Sequence, residues 1–263
     1  MKRHLPVLFL ALLSFGCKKT VTLRLQNVPP AIVIEGEVTN QAGPYFVRIS
    51  RPVDFYADNN FPPVSGATVL ISDGLGMTDS LTEVSAGLYS THHLQGYPGV
   101  DYRLSATVDG VTYQASSTMP PEVPLDSVSF QSNSAFGRTQ ISAIANFQDP
   151  AGARNYYRFV EFLNGKQLAK DLFVFDDRLS DGRYINYTLF NDSSYLHEGD
   201  QLQVDMYCID SAVYNYFFQL FQSGGAGAFN TSASPANPGS NISNGAFGFF
   251  SAHTAASMSE YVP

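Results

Sequence analysis

Residues 102–108 and 111–116 form two runs of alternating apolar and polar side chains, and only Asp109-Gly110 separates them. A link that short can join only antiparallel strands, and Asp-Gly supplies the two positive-φ positions a tight hairpin turn needs. The same grammar extends along the chain. Residues 32–38 and 45–50 are β-branched or alternating runs, with Asn40-Gln41-Ala42-Gly43-Pro44 between them as turn chemistry. Residues 66–72 form another run, closed by Asp73-Gly74, and a short one follows at 88–91. Short strands at this spacing predict a β-sandwich over residues 31–119.

Met119-Pro120-Pro121-Glu122-Val123-Pro124 then interrupts any ladder, because proline has no N–H to donate. A domain boundary is placed there. From residue 125 to 263 the pattern restarts, with strands near 126–130, 140–147, 156–162, 168–175, 183–190 and 201–209 and a closing strand at 246–253. One helix is expected over 211–222. Asp210 suits its N-cap and Gly224-Gly225 its stop, and its apolar stripe is widened by Tyr214, Tyr216 and Phe218. That width favours burial against a sheet; the alternative is an aromatic face open to a partner. The fold class is therefore mainly β: an N-terminal sandwich plus a second β-rich domain carrying one helix.

The first residues read as an export signal. Lys2, Arg3 and His4 precede an eleven-residue apolar stretch that is too short to span a bilayer, which needs roughly 20 residues. It ends Leu13-Ser14-Phe15-Gly16-Cys17, which resembles the lipobox of bacterial lipoproteins, with residues 1–16 as signal peptide and 17–30 as anchor and linker. The resemblance makes Cys17 the lipid-attachment residue, and two or more acyl chains give a stable membrane anchor. Only Cys208 would then remain, so no internal disulfide could form. Cys208 shares a strand face with Leu202, Val204 and Met206 and is read as a buried, inert thiol. The net charge is −8, and it becomes more negative once Lys2 and Arg3 leave; this disfavours nucleic acid as a partner.

Chemistry is sparse. His92 and His93 are adjacent on an expected strand, so they would point to opposite faces; His197 and His253 stand alone, as surface or strand-end residues. Residues 176–182 are rich in Asp but lack the alternating acids and closing Glu of an EF-hand, so a solvated hairpin loop is preferred. There is no Gly-x-Ser-x-Gly elbow and no phosphate cradle. No catalytic residue, metal ligand or cofactor is expected. The best candidate for contact is the polar loop 234–245, with Asn237, Asn241 and Ile242 and the adjoining aromatic helix; the plain alternative is that its asparagines cap turns.

Two resemblances add context. Gly66-Ala67-Thr68-Val69, Gly87-Leu88-Tyr89 and Gly99-Val100-Asp101-Tyr102-Arg103-Leu104 are similar to immunoglobulin-like and carboxypeptidase-regulatory-like modules. Val33-Ile34-Glu35-Gly36-Glu37-Val38-Thr39, Tyr45-Phe46-Val47-Arg48-Ile49-Ser50, Met119-Pro120-Pro121, residues 235–242 and residues 245–252, in that order, resemble the domain-of-unknown-function 4249 family of Bacteroidetes lipoproteins. The family carries no established activity. It implies an envelope lipoprotein of the kind encoded beside TonB-dependent outer-membrane receptors. With the anchor signal, the β architecture and the missing catalytic motifs, the leading expectation is an outer-membrane-associated lipoprotein that is non-catalytic and accessory to a TonB-dependent receptor, in ligand capture or assembly. The rival expectations are an envelope hydrolase using dispersed carboxylates and a structural or adhesive surface lipoprotein.

Overall fold

The computed structural model describes residues 31–53, 61–135, 138–168, 172–190, 196–223 and 237–263. Cys17 and the linker lie outside the described residues. The first half comprises β1 (Val33–Thr39), β2 (Phe46–Ser50), β3 (Thr68–Asp73), β4 (Thr78–Ser80), β5 (Thr82–Ser85), β6 (Leu88–Ser90), β7 (Asp101–Val108) and β8 (Val111–Thr118). The second comprises β9 (Ser127–Ala135), β10 (Arg138–Gln148), β11 (Tyr156–Leu163), β12 (Lys166–Gln167), β13 (Phe173–Asp176), β14 (Tyr184–Leu189), β15 (Gln201–Cys208), α1 (Ser211–Ser223) and β16 (Phe247–Tyr261). The chain is mainly β, as the sequence predicts. Asp109 and Gly110 sit at φ 50° and 81° in the β7–β8 hairpin, the conformation their identities imply.

One sheet runs through both halves. Its order is β12-β11-β15-β16-β1-β2-β6-β5, with β13 also on β11. The organising element is β16, which is longer than the sequence pattern suggests. Its first half pairs in parallel with β1, from Val33 with Phe247 to Thr39 with His253, and its second half pairs antiparallel with β15, from Cys208 with Thr254 to Gln201 with Tyr261. The last strand thus completes the sheet of the first half as well as that of the second. Gly248 permits the close approach. A Cβ there would lie 2.0 Å from the Ile34 carbonyl oxygen, and its φ is +92°.

The period-two alternation divides β16 cleanly between layers. Phe250 and Ala252 enter a core with Ile34, Val47, Ile49, Ile71 and Leu104, closed by the sheet β4-β3-β7-β8. Ala256 and Met258 border a second core around Phe147, Tyr157, Phe159, Leu202 and Met206, closed by the sheet β14-β10-β9. Phe249 faces the other way, onto α1. The helix begins where Asp210 Oδ1 accepts the Val213 N–H at 2.9 Å, and it buries Val213, Tyr214 and Phe217. Phe217 meets Phe249 edge-on at 4.8 Å, and the Arg158 guanidinium lies 4.0 Å from the Phe217 ring. Most of the wide aromatic stripe therefore covers the sheet, leaving Phe218 partly exposed.

Candidate functional site

From Gly248 to Ala252, β16 has β1 on one side and, among the described residues, no strand on the other, since β15 joins only from Thr254. Gly248, Phe250 and Ala252 direct their backbone groups to that unpaired side, because alternate residues point alternate ways. Side chains fill the place of the missing strand. Ser240 Oγ donates to the Gly248 carbonyl at 2.8 Å. Asn241 Oδ1 accepts the Phe250 N–H at 3.0 Å, and its Nδ2 donates to the Phe250 carbonyl at 2.7 Å. Ser117 Oγ accepts the Ala252 N–H at 2.8 Å, while its own hydroxyl is bonded to Asp210. Buried backbone groups must find such partners.

The contact residues expected from sequence therefore separate. Asn241 is a clasp inside the fold, reaching the Ser116 carbonyl as well at 3.4 Å. Ile242, expected on the contact loop, is almost wholly buried against the first core, with only its edge at the groove described below. Its neighbours are polar turn formers, and they mask an apolar residue that the core needs. Asn237 is exposed. The loop also seals the free edge of β8. Ser243 N–H donates to the Gln114 carbonyl at 2.8 Å, Ser243 Oγ accepts the Gln114 N–H at 2.8 Å, and Asn244 Nδ2 donates to the Thr112 carbonyl at 2.7 Å.

Docked this way, residues 240–243 become one wall of a groove of about 820 Å³ on the outward face of β3, β7 and β8. Its floor carries Ser72, Arg103, Ser105, Gln114 and Ser116. Arg103 is exposed and stands in register between Ser72 and Ser116. This is a hydroxyl- and amide-rich surface with one exposed cation among its described lining residues, suited to a polar ligand bearing a carboxylate or many hydroxyls. Sequence reasoning missed Arg103. The signal available was its outward parity in β7, between buried Tyr102 and Leu104.

The histidines also differ from expectation. His92 and His93 lie in a bend, where the buried Asp79 carboxylate accepts the N–H groups of His92, His93 and Leu94 at 2.8, 2.7 and 2.9 Å. Burial pushes that carboxyl up, but the three amides and the His92 ring more than offset it and hold its pKa at about 2. His253 is buried in mid-strand rather than at a strand end. Its Nδ1 is 3.0 Å from Ser251 Oγ and its ring lies 4.6 Å from Tyr207. Burial pushes it down to about 4, against the pull of Glu37. Cys208 is buried where expected, and burial raises its thiol pKa.

Residues 176–182 are not simply a solvated loop. Asp177 is 1% exposed, and one carboxylate oxygen each from Asp149, Asp177 and Asp181 lie within 4.8 Å of one another. Among the described residues no helix is long and apolar enough to cross a membrane.

The model of one family, described as a domain of unknown function (DUF4249), matches residues 18–259. No curated protein matches. Among solved structures, the adhesin InvE of Yersinia pseudotuberculosis is similar at 18% identity over 67% of this chain, with a TM-score of 0.22. This chain spans 55% of the length of that protein. A likeness of that size bears on neither mechanism nor partner.

Proposed function

The chain belongs to the DUF4249 family, and from that premise we propose that it is an envelope lipoprotein, anchored through Cys17, that works without catalysis as an accessory to a TonB-dependent outer-membrane receptor. Its role is to capture a polar ligand, or to hold the receptor, in the groove between Arg103 and the 240–243 wall. The observation that carries the reading is the groove itself. Its wall is fixed by side-chain bonds to β8 and β16, so the surface is preorganised. Its floor presents one cation among hydroxyls and an amide. The leader ending in Gly16-Cys17 supports the anchor. Intact-mass measurement of the mature protein tests that part. A mass carrying acyl chains on Cys17, with a Cys17→Ser form released to the aqueous fraction, is expected; an unmodified Cys17 in a freely soluble protein would refute it.

A further inference from the structure

Asp149 follows β10, Asp177 follows β13, and Asp181 precedes β14, so the turn after β10 meets the β13–β14 turn at one end of the second core. Short bonds knit the two turns together. Gly182 N–H donates to Asp149 Oδ2 at 2.9 Å, and Gly152 N–H to Asp181 Oδ1 at 2.8 Å. Asn155 N–H donates to Asp177 Oδ2 at 2.9 Å, and the Tyr157 hydroxyl to Asp149 Oδ1 at 2.5 Å. Asp149 and Asp177 are each 1% exposed, and Asp181 faces solvent at the mouth.

These bonds leave the cluster incomplete in two respects. Asp177 Oδ1 is fully buried and accepts no hydrogen bond, and neither does the buried Oδ1 of Asn155, whose N–H already binds the same carboxylate. Arg154 Nε stands 3.5 Å from Asp177 Oδ1 without hydrogen-bond geometry and is half exposed. Buried acceptors without donors are uncommon, and one half-exposed guanidinium is a single positive charge against three carboxylates. We propose that Asp149, Asp177 and Asp181 hold a calcium ion, and that the ion locks the two turns together. Oxygen donors on irregular turns, with no sulfur or imidazole, suit a hard cation of flexible coordination. Oxygens within 4.8 Å of one another fit around an ion that binds them at roughly 2.3–2.6 Å.

The test uses the purified full chain with metal ions alone. Calcium at 10 mM should raise the melting temperature by about 3–10 °C, as a site of millimolar or submillimolar affinity does. Terbium should bind and emit on excitation of tyrosine, Tyr157 being bonded to Asp149 in a chain without Trp. Asp181→Asn, an exposed change that keeps an acceptor for Gly152, should fold and weaken calcium binding by about tenfold or more. Asp109→Asn, an exposed acid remote from the site, should bind as the parent does. No calcium shift and no sensitised emission would overturn the proposal. So would an Asp181→Asn variant that binds as tightly as the parent, or an equal shift with magnesium at the same concentration.

Discussion

Replacing Asn241 with Ala decides whether the 240–243 wall is part of the fold or a surface held for a partner. The side chain closes two bonds to Phe250, at 3.0 and 2.7 Å, and a longer one to Ser116. Phe250 is fully buried, with β1 on its other side, so its N–H and C=O have no alternative strand. Leaving a buried group without a partner costs about 1–3 kcal/mol. Water reaching the groove side recovers part of that, so about 2–3 kcal/mol is expected for the pair. For a chain of this size each kcal/mol moves the melting point by roughly 2–4 °C, giving a fall of about 5–10 °C by circular dichroism or calorimetry. Asn237→Ala, at an exposed site, should change stability by less than about 0.5 kcal/mol. If Asn241→Ala melted with the parent and only lost binding to a partner, the clasp reasoning would be wrong and the asparagine would be a contact residue.

Other outcomes follow from buried groups. His253 binds a proton less readily folded than unfolded, so stability should fall as pH drops from about 6.5 toward 4, by about 2 kcal/mol at pH 5, and level off below; urea titrations across that range should show the slope, and His253→Gln should lack it. Asp79 is the opposite case of ionisation: its folded pKa of about 2 lies below the ordinary 3.8, so its contribution is complete above pH 4 and is lost as pH falls through 2. Acid unfolding of Asp79→Ala should lack this component, after an initial loss of about 2–3 kcal/mol from three stranded amides. Gly248→Ala should cost more than about 3 kcal/mol or abolish folding, since its Cβ would meet the Ile34 carbonyl; a near-parental melting point would refute the parallel β1–β16 register.

Legibility in the sequence followed the range of the signal. Asp109-Gly110, the Asp210 cap and the inward parity of Cys208 are local, and each stands where its chemistry requires. The double partnership of β16 is not local: β1 lies more than 200 residues away in the chain, and alternation alone names a face but no neighbour. The polar run around Ile242 concealed a core residue for the same reason, since its burial is set by the sandwich it closes. The Asp149 cluster needs two turns some 30 residues apart to meet, and a search for contiguous calcium loops cannot find it. Position alone suggests a strand at His92 and His93; the Asp79 carboxylate, thirteen and fourteen residues earlier, imposes the bend.

The central proposal is that this chain is a lipoprotein that meets a receptor through the Arg103 groove, and affinity purification from envelope membranes tests it most directly. The tagged full chain should enrich a TonB-dependent outer-membrane receptor over an unrelated lipoprotein, and Arg103→Glu should lower that enrichment about tenfold while leaving the melting temperature unchanged. Recovery no greater than with the unrelated lipoprotein, or recovery indifferent to Arg103→Glu, would contradict the account.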